Sequence, residues 1–309
     1  MKVNLYARVN SSSRDTEYLG EVYLEPDESR PLAINRIGIS KSPSTKVSLL
    51  ERFENTLRDC RLMGFYMMVI TCTDEPSSKA FIDRFFKDYV ENKEVSTYIQ
   101  VVLSEADIQP ASEDTAFAEK LGWKMPDHGK AFAYAIDGNG KDLGVIEIDL
   151  KAKDGAELAT AFVNAHVPDK LDAEQKWDDA FEAARLSNKR VWARISQRYC
   201  GPCFRLARWF DDHREMLEQD FVMLKIDDFR DLNGIEIAKR LTLGKHHGVP
   251  FHAIFEADES MLVDSAGNLG NIGHPSGYEG KKHMRKMLET GSKTLTPSEI
   301  DQLVESLED

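Results

Sequence analysis

Cysteine is scarce in this chain, with four in 309 residues. That is too few for the disulfide framework of small secreted domains, so cysteine usage does not set the compartment. Long apolar runs are missing as well. No stretch of eighteen or more apolar residues occurs, so no segment is expected to span a bilayer. Positive charge is in deficit: 40 Lys and Arg face 53 Asp and Glu, a net −13. This argues against nucleic acid or an anionic membrane as partner, since either needs a basic surface. The opening "MKVNLYARVNSSSRD" has no apolar h-region and no small-residue cleavage site. The expectation is a cytoplasmic chain, or a periplasmic or secreted one whose leader has been removed. What remains is ordinary for a soluble globular protein, at 41% hydrophobic and 30% charged residues. The length suits two domains, each large enough to bury a core without staples.

Along the chain, Val3, Leu5, Ala7 and Val9 alternate with polar residues, and "SSSRD" turns the chain into "EYLGEVYLEP". Residues 1–45 therefore read as a β-strand segment. Phe53, Leu57 and Cys60 then share one helical face, and "FYMMVITC" is an apolar run of strand length. Such a run, with Met67 and Met68 inside it, marks a strand buried on both sides. A helix is expected from about Ser77 to Val90, with Phe81 and Phe85 inward. "TYIQVVL" is a strand, "AFAEKL" a short helix, "KAFAYAIDGNGKDLGVIEI" a hairpin and "GAELATAFVNA" a helix.

After "HVPDK" the same order begins again. Trp177, Phe181 and Ala184 form a helical face, "RVWARIS" a strand, and the stretch after Cys203 a long helix. "FVMLKID" is a strand, "IEIAKRL" a helix, "PFHAIFEADESMLVDS" a hairpin and "EGKKHMRKMLE" a helix. "TPSEIDQLVESL" adds a last helix with a capping box, Thr296 and Glu299, and Pro297 in its first turn. The halves also share letters: "HGKAFAYAID" matches "HGVPFHAIFE", and "AEKL" matches "AKRL". Two matches in register ahead of the same hairpin argue for a repeated domain. The fold class is α/β, with mixed central sheets flanked by helices.

Chemistry concentrates at "RYCGPCFRLARWF", where Cys200 and Cys203 stand two residues apart. The pair reads as half a zinc site, a structural disulfide or a redox couple. Zinc needs two more ligands. Cys60 and Cys72 sit on a helix end and a strand end, poor geometry for one centre, and His246 and His247 sit in a loop. Cys60 and Cys72 read more simply as half-buried or core cysteines. No metal and no cofactor are expected.

A strand, then Cys200-Gly201-Pro202-Cys203 opening a helix, then Val249-Pro250 starting a hairpin, resembles the thioredoxin superfamily. "KRVWARISQRYCGPCFRLARWF" and "GNIGHPSGYEG" are similar to bacterial thioredoxin-like proteins. The resemblance covers residues 170–290 directly and 46–166 through the internal repeat. It implies two thioredoxin-like domains, 46–168 without a CxxC and 169–309 with one, and a thiol–disulfide oxidoreductase acting on protein disulfides. Cys200, at a helix start, faces open backbone N–H groups and the positive dipole end, which stabilise a thiolate. It is read as exposed and attacking, while Cys203, more buried, resolves the mixed disulfide. Pro202 fits the first turn, where its missing N–H is not needed. The resemblance further implies a cis Pro250 against the cysteines, with Val249 pairing an extended substrate and Tyr199 and Gly201 beside it.

Two departures stand out. Tyr199 replaces the family's usual Trp, a mild change. Arg194 occupies the place of a buried Asp that serves the resolving thiol; Arg accepts no hydrogen bond and cannot be that base. Its charge would favour a thiolate and so tune the pair toward an oxidant. Arg198 and Arg205 flank the motif and could add positive potential. In the first half, Glu75, Ser78 and Ala131 stand opposite Cys200, Cys203 and Pro250, so that half has no comparable exchange chemistry. It is left to bind substrate or to fix a homodimer. The implied partners are protein thiols or disulfides and an unidentified redox partner. The rival reading is a scaffold whose CGPC pair is a vestige or a lock.

Overall fold

The computed structural model describes the backbone of two N-terminal strands (residues 2–8 and 16–23) and residues 48–73, 76, 78, 80, 81, 98–104, 113–245, 248–267 and 270–307. The N-terminal strands, β1 (Lys2–Arg8) and β2 (Thr16–Tyr23), pair antiparallel with a register shift between Leu5 and Tyr6. They belong to a separate unit, Met1–Ile34; Asn35–Asp309 form the second unit. Val9, Glu75, Phe85, His246, His247 and most of the helix expected at 77–90 lie outside the described residues.

The apolar run after α1 (Leu49–Met63) becomes β3 (Tyr66–Cys72), and its composition follows from its place. Met67 and Val69 face one apolar cluster with α1, while Met68 and Ile70 face another on the opposite side. A strand covered on both faces has no solvent side, so it carries no polar alternation. β3 pairs parallel with β4 (Tyr98–Leu103) and antiparallel with β5 (Lys130–Ile136), which continues into β6 (Asp142–Asp149). α2 (Glu113–Lys120) and α3 (Gly155–Ala165) cover opposite faces of this sheet.

The second half repeats the plan. α4 (Ala173–Ser187) leads into β7 (Arg190–Ser196), then α5 (Gly201–Asp212), α6 (Arg214–Leu217) and β8 (Phe221–Asp227). α7 (Gly234–Leu241) follows, then β9 (Phe251–Phe255) and β10 (Met261–Asp264). A short pair, β11 (Ala266–Gly267) and β12 (Gly270–Asn271), precedes α8 (Gly277–Gly291) and α9 (Pro297–Glu305). The strand orders are β4-β3-β5-β6 and β8-β7-β9-β10, each with one parallel and two antiparallel pairs. The registers coincide: Thr71 faces Phe132 where Ile195 faces Phe251, so Ala131 holds the place of Pro250. This is the mixed α/β fold expected, with two four-stranded central sheets flanked by helices.

Val191, Ala193 and Ile195 point toward α4 and α7, and Trp192 toward α5, α8 and α9. Trp177, Phe181 and Ala184 are fully buried in the first of these layers. The appended α9 has its capping box, Thr296 with Glu299, and Trp209 on α5 donates to Ser306 Oγ at 2.9 Å. The last helix thereby fixes the back of α5.

Candidate functional site

The polypeptide leaves β7 at Ser196 and turns through Gln197–Tyr199 into α5, for which Cys200 is the N-cap. An N-cap residue is extended while its side chain meets the first open N–H groups; here Cys200 Sγ accepts from the Cys203 N–H at 3.1 Å. Cys200 and Cys203 are joined as a disulfide, with Cα atoms 5.2 Å apart. Pro202 sits in the first turn, where no N–H is required. On the other side, the Val249–Pro250 peptide is cis, and Val249 O lies 3.5 Å from Cys200 Sγ. The Lys130–Ala131 peptide of the first half is trans. Tyr199 is partly exposed, with the Arg198 guanidinium 3.9 Å from its ring centre. Arg205 is exposed on α5.

The Val249–Pro250 loop is held by residues that the sequence motifs did not single out. Asn271 Nδ2 donates to Gly248 O at 2.6 Å and to Pro250 O at 2.9 Å, bracketing Val249. Ser265 Oγ donates to Asn271 Oδ1 at 2.8 Å and accepts the His252 N–H at 3.0 Å. Gly273 has φ +55°, and a Cβ there would approach Pro250 Cδ at 3.6 Å. The available signal was "GNIGHP", an Asn and a His set among glycines close behind the hairpin.

His252 completes the support. Its Nδ1 accepts from the Trp192 indole N–H at 3.2 Å and its Nε2 meets Gly273 O at 3.1 Å, which requires the neutral tautomer with the proton on Nε2. Burial pushes the imidazole down to about 3, against the raising effect of the Gly273 carbonyl.

Two expectations change. Cys200 is not exposed: it is 7% accessible and joins Cys203 and Ala207 in the apolar cluster that contains Cys60, Met63 and Phe65 of the first half. The reason is packing between halves. α1 lies between its own sheet and α5, and Phe65 meets Phe204 with ring centres 6.2 Å apart. Polar contacts frame that apolar seam. Arg208 on α5 grips the buried Asp59 carboxylate with Nε and Nη2. Arg58 binds Asp211 at 2.8 Å and Asp212 at 2.5 Å. Lys225 and Arg230 donate to Met63 O at 2.5 Å and Gly64 O at 2.6 Å, at the negative end of α1; burial, with Lys176 and Arg194 nearby, pushes the Lys225 ammonium down to about 7.

Arg194 neither reaches solvent freely nor lies beside the cysteines. Its guanidinium is buried under α5 at 5.1 Å from the Phe210 ring centre. Phe210 is two helical turns beyond Cys203, roughly 10 Å along the axis. Burial, with Arg214 nearby, lowers its proton affinity to about 10, so it stays charged at neutral pH.

The remaining candidates separate. Cys60 and Cys72 are buried thiols, and burial pushes the Cys60 thiol well above its ordinary value. Ser78 is buried and meets Thr73 at 3.2 Å. No group of three or more His, Cys, Asp or Glu fit to hold a metal occurs among the described residues, and no helix among them is long and apolar enough to cross a membrane.

Comparison with curated proteins returns no match. Among solved structures, a disulphide isomerase from Xylella fastidiosa Temecula1 is 20% identical, with 44% of this chain and 92% of that one covered and a TM-score of 0.30. An alkylhydroperoxide reductase component from Enterococcus faecalis, AhpF, is 12% identical, with 83% and 97% covered and a TM-score of 0.24. The first two thioredoxin domains of Saccharomyces cerevisiae Eps1p are 10% identical, with 79% and 95% covered and a TM-score of 0.25. At these identities and scores no activity transfers. A thioredoxin-like family matches residues 172–257, the stretch that carries β7, Cys200, Cys203 and Pro250. Over that stretch, a little more than a quarter of the sequence, the chain is similar to the thioredoxin-like family.

Proposed function

We propose that the chain is a thiol–disulfide oxidoreductase acting on protein disulfides through Cys200 and Cys203. The observation that carries this reading is the disulfide at the N-cap of α5 with the Val249 carbonyl 3.5 Å from Cys200 Sγ. In the reduced form, the Cys200 thiolate attacks one sulfur of a substrate disulfide, forming a mixed disulfide and releasing one substrate thiolate. Cys203 then attacks Cys200 Sγ, releasing the second substrate thiolate and leaving the Cys200–Cys203 disulfide. Two electrons pass from the dithiol to the substrate, and the reverse sequence oxidises a substrate dithiol. A redox partner returns the pair to its starting state.

Tyr199, Gly201, Pro202, Val249 and Pro250 form the substrate-facing rim, with the Val249 backbone pairing an extended segment. Residues 169–309 are the redox domain in this reading. Residues 46–168 serve in substrate binding or assembly, including assembly with a second copy. Arg194 tunes the pair by charge at a distance.

The burial of Cys200 against the first half favours a second reading, a scaffold with a locked disulfide. Trapping separates the two. With Cys203→Ser, mixed disulfides with protein substrates should accumulate, and with Cys200→Ser they should not. Equal trapping by both variants, or a Cys200–Cys203 disulfide that resists mild reductant in the native chain, would defeat the enzyme reading.

A further inference from the structure

A second feature lies away from the cysteines. A cleft of about 470 Å³ opens between the C-terminal end of α1, the edge strand β8 and α5–α6. Its walls carry five basic side chains, Arg61, Lys189, Arg194, Arg214 and Lys225. Two carboxylates, Asp211 and Glu218, line it as well, but both are engaged. Asp211 binds Arg58 and Arg214, at 2.8 and 3.2 Å, and Glu218 binds Arg214 at 3.5 Å.

Arg194 forms the floor. It is 9% exposed, and its Nη1 is buried without a hydrogen-bond partner. Its cross-strand neighbours offer no compensation: Lys225 on β8 is itself basic, and His252 on β9 spends both ring nitrogens on Trp192 and Gly273. A buried guanidinium with an open N–H is expensive unless an acceptor reaches it. The cleft carries this surplus of positive charge on a chain of net charge −13. Low-dielectric walls would focus that potential into the cleft. Its volume lies in the range of small-molecule sites.

The geometry points to a binding site for a small molecule bearing an oxyanion, phosphate or carboxylate, with Arg194 as its buried ligand and Lys225 and Arg214 at its sides. Arginine suits this role because its planar fork matches such oxygens two at a time.

The test is calorimetric titration and thermal unfolding of the full oxidised chain with inorganic phosphate and, separately, acetate, with sodium chloride holding ionic strength constant. At least one of the two anions should bind saturably and raise Tm. Arg194→Met should bind it at least tenfold more weakly, yet be no less stable in chloride, because methionine replaces an unpaired buried charge. Arg214→Gln, at a more exposed position, should weaken binding with the fold intact. Preference for phosphate or for acetate tells which oxyanion the site takes. The inference is overturned if neither anion binds more tightly than chloride, or if Arg194→Met binds as the wild type does. No redox step enters this readout, so it stands or falls apart from the exchange reaction.

Discussion

Arg208→Met removes a two-pronged polar contact with a buried carboxylate between the two halves of the larger unit, and its consequences can be worked out in advance. Asp59 is 4% exposed at its side chain and receives two N–H groups from Arg208, whose own side chain is 44% exposed. Breaking a fully buried pair costs about 3–5 kcal/mol. Solvent already reaches Arg208, so the discounted figure is about 2–3 kcal/mol. That weight falls on the seam over α5, because Asp59 is on α1 and Arg208 is two turns past Cys200. If the seam opens ahead of global unfolding, the open population should rise by roughly thirty- to a hundred-and-fortyfold, at tenfold per 1.4 kcal/mol. The disulfide should then be reduced faster by a small thiol under native conditions, by a factor of that order. The assay is reduction rate against dithiothreitol concentration, paired with urea unfolding of wild type, Arg208→Met, Asp59→Asn and the double variant. The double variant should recover part of the loss, since it leaves no buried charge unpaired. A reduction rate unchanged in Arg208→Met, with the stability loss present, would refute the idea that this seam governs access to Cys200.

Three further outcomes follow from the same geometry. Removing the Arg194 charge, by Arg194→Ala, should raise the Cys200 thiol pKa by about one unit, for a charge about 10–15 Å away at an effective dielectric near 20. A shift under about 0.3 units in a thiol titration means the arginine is too remote to tune the pair. Acid should destabilise the protein through His252, which binds a proton when unfolded but not when folded between about pH 6.5 and its folded value of about 3. Its stabilisation is complete above about pH 6.5 and falls by up to about 1.4 kcal/mol per pH unit below it. His252→Gln, which can still accept from Trp192 and donate to Gly273, should have a flatter urea-midpoint profile between pH 6.5 and 5, and parallel profiles would exclude this histidine as the cause. Asn271→Ala should cost about 1–3 kcal/mol by releasing the carbonyls of Gly248 and Pro250, and should slow disulfide exchange with protein substrates, while a variant with wild-type exchange would show that the loop holds its shape unaided.

Much of the framework was legible because each element's local pattern agrees with its place in the fold. "RVWARIS" and "FVMLKID" match β7 and β8 residue for residue, and "GAELATAFVNA" matches α3. Their period and apolar content answer to neighbours within the same sheet and helix layer. The cysteine pair was legible for a similar reason, since a CxxC between a strand and a helix carries its own geometry. The cover over Cys200 was not legible. Phe65 and Met63 look like core of the first half on their pattern, and they are, yet Phe65 also meets Phe204 across the seam. Nothing in a side chain's periodicity tells which of two cores it serves. Arg194 shows the opposite limit. It lies on the α5 side of β7 with Trp192, but its depth beneath Phe210 and its open Nη1 depend on helix packing that no short pattern encodes.

The position of α1 also bears on how this protein can be taken apart. Packed on one side by its own sheet and on the other by α5, it works as a party wall between two rooms. A fragment beginning at α4 would keep every cysteine, proline and asparagine of the redox loop but would lose the surface against which α5 is seated. Kinetics or a reduction potential measured on that fragment would describe a bare site, open to bulk solvent and to small thiols. Comparing fragment and full chain would show how much of the chemistry belongs to the thioredoxin-like half and how much to the neighbour that leans on it.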